Sequence, residues 1–136
     1  MKLSTKWKER LEKDQFARHN GIEMVDVSPG FARVKMNIQP YHLNGVGIVH
    51  GGAIFTLADF AFAVAANSHE QIAVAINITI AYIKAVTEGS LFAEARELSI
   101  NPKLGVYQVD VCTSDNELVA SFQGMAYRKK SKHEKS

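Results

Sequence analysis

The chain has 136 residues and a mass of 15.0 kDa, with 46% of residues hydrophobic and 22% charged. That is a single domain, residues 1–136, with apolar material for a core and too little net charge, +2, for a strongly basic nucleic-acid-binding body. Residues 1–18 carry six cations and three anions, and residues 128–136 carry five cations and one anion. The body between them is acidic, and its only cations are Arg33, Lys35, Lys84, Arg96 and Lys103. A lone cysteine, Cys112, cannot bridge within the chain and fits a reducing, cytoplasmic setting. The charges of the first eight residues have no apolar run behind them, unlike a secretion signal. The longest apolar stretch, 51–66, is too short for a membrane span and holds an aspartate.

Residues 4–18 space Leu3, Trp7, Leu11 and Phe16 along one side, which predicts one short amphipathic helix within an N-terminal helical segment, 1–19. Two strands follow, 22–27 and 31–38, around the turn Ser28-Pro29-Gly30. A glycine-rich loop, 39–50, leads into a helix over 51–68. Four strands complete the chain: 72–84, 90–100, 105–114 and 117–128. The first of these puts Val74, Ile76, Ile78, Ile80 and Tyr82 on one face. Short turns between strands predict antiparallel neighbours. The tail 129–136 is basic, polar and expected to fray.

The central helix carries the chemistry. From Gly51 to Ala66 its only polar side chains are Thr56 and Asp59, so it should be buried on all sides within a sheath of strands, an α+β arrangement. Asp59, among Phe55, Phe60 and Phe62, is costly to bury without a partner or a cleft. It either supports the fold or lines an apolar pocket as nucleophile or general base. Gly51 and Gly52 open the helix, where amides without helical partners sit at the positive end of the dipole and can hold a polarised carbonyl. Gly52 and Asp59 lie about 10 Å apart along the axis, too far to grip one carbonyl carbon. Either the acid acts through water or it comes from a second copy of the chain.

The run Asn44-Gly45-Val46-Gly47-Ile48-Val49-His50-Gly51-Gly52, followed by Leu57-Ala58-Asp59, resembles the hotdog-fold acyl-CoA thioesterases, and the PaaI-like branch in particular. The spacings of Asn44, His50 and Asp59 match the family pattern, and the resemblance covers about residues 20–128. It implies an antiparallel sheet wrapped round the long helix, and dimers that pair again as tetramers. It implies hydrolysis of an aryl- or medium-chain acyl-CoA, such as phenylacetyl-CoA, to acid and CoA, with no metal or other cofactor. The Gly52 N–H of one subunit would bind the thioester oxygen. Asp59 of the other would attack the carbon or activate water. Asn44 would position the water or the acid, and His50 would shape the start of the helix. Two positions depart from the pattern. Ala63 stands where some relatives have Ser or Thr, and Lys84-Ala85 stands where many have Arg-Pro.

Gly51, Phe55 and Phe62 are further candidates for the substrate site, the two rings for the acyl pocket. Lys84, Lys103 and Arg128 are candidates for the CoA phosphates, against the plain alternative of solvated surface charges. No His or Cys grouping has metal-ligand spacing. Neither a nucleic acid nor a membrane is an expected partner. The rival from another class is a hotdog protein that binds acyl-CoA without cleaving it, which has no need for a buried acid.

Overall fold

The computed structural model describes residues 3–130. The N-terminal segment is two helices rather than the expected one: α1 (Thr5–Glu12) and α2 (Gln15–His19). Asp14 makes the break. Its backbone is extended and its carboxylate accepts the Ala17 N–H at 2.9 Å, so it caps a new helix instead of continuing the old. The break also turns the apolar side. Ala17 is buried, whereas Phe16 is 64% exposed.

Six antiparallel strands form one sheet in the order β1-β2-β4-β5-β6-β3. They are β1 (Ile22–Ser28), β2 (Phe31–Asn37), β3 (Ala73–Tyr82), β4 (Ser90–Ile100), β5 (Leu104–Thr113) and β6 (Leu118–Arg128). Neighbours in sequence pair as expected except at one place. β3 pairs with β6 rather than with β4, and stands at the edge of the sheet. The link from β3 to β4 is therefore no hairpin. It crosses near the start of the long helix, where the Val86 carbonyl accepts the Val49 N–H. Lys129 N–H donates to the Ile72 carbonyl, so the backbone stays tied just beyond β6. The rest of the expected fraying, from residue 131, lies outside the described residues.

The expected single apolar face of β3 is split. A bulge between Ala75 and Asn77 inserts Ile76 and reverses the alternation. Ile78 and Ile80 pack toward the core, while Val74 and Ile76 face solvent.

Helix α3 (Gly51–Ala66) packs in the concavity of the sheet. Ile54, Leu57, Ala58, Phe60, Ala61, Phe62, Val64, Ala65 and Ala66 are buried. The apolar sequence predicts cover on all sides, and the structure falls short of it. Phe55, Thr56, Asp59 and Ala63 are only partly covered and Gly52 is exposed, which leaves one open stripe. The buried side is fitted closely. Phe62 stacks at tilted angles against Phe122 and Tyr107. A Cβ at Gly124 would stand 2.9 Å from the Phe62 ring, closer than carbon atoms tolerate.

Gly124→Ala should therefore destabilise the fold by about 1–3 kcal/mol through overpacking. Gly45→Ala, whose new methyl meets nothing within 4 Å, should be near neutral. Urea unfolding midpoints test the pair, and equal midpoints would contradict the close fit.

Candidate active site at the start of the central helix

The first turn of α3 is organised by His50. Its extended backbone makes it the N-cap, and its Nδ1 accepts the Gly52 N–H at 2.8 Å. An accepting Nδ1 carries no proton, so the proton sits on Nε2. The amide at Gly52 is the expected carbonyl binder, and here it is already taken within the chain. The N–H of Gly51, one residue earlier, finds no acceptor among the described residues. It is the free first-turn amide at the positive end of the helix.

Both glycines permit a close approach. A Cβ at Gly52 would stand 3.0 Å from His50 Nδ1, and one at Gly51 would stand 3.2 Å from the Tyr82 ring. Tyr82 Oη donates to the Gly51 carbonyl at 3.0 Å, which ties the end of β3 to the first turn of α3. Sequence reasoning missed this role, because Tyr82 reads only as one more apolar position in a strand. Thr56 spends its hydroxyl on the Gly52 carbonyl at 2.7 Å.

Asn44 folds its own loop. Its Oδ1 accepts the N–H groups of Val46 at 3.0 Å and Ile48 at 3.2 Å. That engages the acceptor end of the amide and leaves Nδ2 as the end that can serve a ligand. Asp59 lies on the open stripe of α3, two turns from the cap, and accepts no hydrogen bond among the described residues. Its carboxyl is held above the usual carboxylate range, first by burial and then by the like charge of Asp14. The charge of Asp14 thus reaches Asp59, although the sequence offered Asp14 only as one charge in a helical segment.

The remaining candidates scatter. Phe55 sits on the rim of the stripe, with its ring 5.7 Å from Phe122. Phe62, 2% exposed, points into the core and not toward the stripe. Lys84 is ion-paired with Glu117. Arg128 braces the far end of the sheet, donating to the Asn101 carbonyl and to Gln71 Oε1. Lys103 is exposed and forms no ion pair among the described residues.

The raised proton affinity of Asp59 makes a test. The folded chain holds this proton more tightly than the unfolded chain does. Stability from this group is therefore full below the unfolded value, near 3.8, and falls as pH rises through the higher folded value. Asp59→Asn should raise the melting temperature at pH 7 and leave it unchanged near pH 3. Asp14→Asn, which retains a good cap, should give part of the same gain.

Residues 46–120 match the family described as the thioesterase superfamily. The chain is 36% identical to the acyl-coenzyme A thioesterase PaaI of Escherichia coli K12 over 118 residues, 86% of this chain and 84% of that one. The structure of the E. coli PaaI protein from the phenylacetic acid degradation operon superposes with a TM-score of 0.88 at 34% identity, over 91% of each chain. The TT0310 protein of Thermus thermophilus superposes with a TM-score of 0.82 at 33% identity, over 86% of this chain and 99% of that one. No helix among the described residues is long and apolar enough to cross a membrane. The chain belongs to the thioesterase superfamily, among its PaaI-like enzymes of the hotdog fold.

Proposed function

We propose that this enzyme hydrolyses the thioester of an aryl- or medium-chain acyl-CoA to the free acid and CoA, in the cytoplasm. One observation carries the reading. An amide and a carboxylate of raised proton affinity, neither with a partner among the described residues, lie on the same helix, the amide at its positive end. They are eight residues and so about 12 Å apart along its axis. One copy cannot bring both to a single carbonyl carbon, so the amide of one subunit works with the acid of another.

The Gly51 N–H holds the thioester oxygen and stabilises the charge that develops there. Asp59 of the second subunit either attacks the carbon, forming a mixed anhydride that water then hydrolyses, or takes a proton from the water that attacks the carbon, and its raised proton affinity suits the second role. The C–S bond breaks, and the CoA thiolate leaves and takes up a proton. Asn44 Nδ2 donates to the water or the acid, and His50 fixes the first turn. The acyl group lies along the stripe beside Phe55. Of Lys84, Lys103 and Arg128, Lys103 is the one whose side chain has no partner among the described residues, and it meets the CoA phosphates. The scheme needs no metal and no cofactor beyond the CoA of the substrate. The edge strand β3, with Val74 and Ile76 exposed, is the side on which a second chain pairs. Two such dimers joined give a tetramer.

Thiol release from phenylacetyl, hydroxyphenylacetyl and C6–C12 CoA esters tests this. Asp59→Ala should lose at least about two orders of magnitude. Gly51→Pro removes the N–H at a helix position where proline is accepted, and should lose about 10²–10³ in kcat. Gly51→Ala adds a similar Cβ and keeps the N–H, so it should lose far less. Binding of acyl-CoA with no thiol release would instead establish a non-catalytic acyl-CoA binder. A gel-filtration mass of one chain would overturn the shared site.

A further inference from the structure

His42 is 2% exposed and closes the short 3-10 turn Pro40–His42. Both ring nitrogens are engaged. Nδ1 accepts the Gln39 N–H at 3.0 Å and so carries no proton. Nε2 carries it and donates at 3.0 Å to the carbonyl of Asn20, the C-cap of α2. Burial lowers the proton affinity of the ring and keeps it neutral.

The main chain then carries the connection forward. The His42 carbonyl accepts the His50 N–H at 2.7 Å, and His50 Nδ1 accepts the Gly52 N–H at 2.8 Å. Three hydrogen bonds thus lead from the end of α2, through His42 and His50, to the first turn of α3. The N-terminal segment is anchored at its other end too, where the Ser4 N–H donates to Glu70 beyond the end of α3. Together α1 and α2 form a strap between the two loops that flank the central helix.

We infer that His42 is a positioning residue for hydrolysis, whose ring registers the loop before α3 against α2 and so sets where His50 holds the first turn. This rests on the reading that the Gly51 N–H binds the thioester oxygen. Ordinary packing would require neither ring nitrogen. Here Nδ1 closes the turn, and Nε2 ties the closed turn to the strap.

Two substitutions separate the two bonds. His42→Asn keeps an acceptor for the Gln39 N–H and loses the bond to Asn20. His42→Gln keeps a donor for Asn20 and loses the acceptor. Each leaves one half-buried hydrogen bond unmade, so their stabilities should fall alike. We expect His42→Asn to lose about tenfold in kcat at unchanged KM, because the amide is displaced from the reacting carbonyl. His42→Gln should stay within about twofold of the wild type. The backbone amide resonances of Gly51 and Gly52 should move in the first variant and return in the second. Equal kcat in the two variants with unmoved amides would overturn the inference. In the wild type, an imidazole proton found on Nδ1 would overturn it as well, whether or not either variant folds. If the wild type cleaves no ester, the hydrolase reading fails and the amide resonances still decide the positioning one.

Discussion

A sixteen-residue helix with one charged side chain is stable in water only under cover, and the rest of this fold supplies that cover. The sheet order follows from it. If β3 paired with β4, as chain order invites, the sheet would be a plain meander. Instead the chain crosses past the start of α3, and β3 closes the opposite flank beside β6. The cover stops short of one stripe, and Asp59 lies there. A carboxylate deep in the core would have to be neutral or paired. On a half-open stripe it stays accessible, while burial and Asp14 raise its hold on a proton.

Much of this was legible in the sequence because it rests on patterns of side-chain type. The run from Gly51 to Ala66 is too apolar for any place but a core, and alternation together with turn residues located all six strands. Asp59 stood out as the one charge in that run, and Asn44 and His50 through their resemblance to the family pattern. The structure differs where geometry overrides composition. Ile76 belongs to the apolar pattern of β3 and is the bulged residue. Asp14 reads as one charge in a helical run and is a cap. Two adjacent glycines look alike in a sequence. The His50 ring, which takes the Gly52 amide and leaves that of Gly51, distinguishes them. His42 lacks metal-ligand spacing, and its importance depends on two backbone partners that no spacing rule names.

The charges of the body divide in the same way. Arg33, Lys84 and Arg96 each face a carboxylate across the sheet surface, at Glu94, Glu117 and Asp110. Lys35 lies over the Phe92 ring. Exposed pairs of this kind contribute little to stability. They do remove these cations from the set available to an anionic ligand. Local pairing, more than net charge, decides which positive groups remain for a phosphate.

Tyr82 gives the edge strand a second meaning. It ends β3, and its hydroxyl grips the carbonyl of the first residue of α3. The outermost strand and the helix start are therefore parts of one lever. The gripped carbonyl shares a peptide plane with the Gly52 N–H, so that plane is pinned by the strand on one side and by the His50 ring on the other.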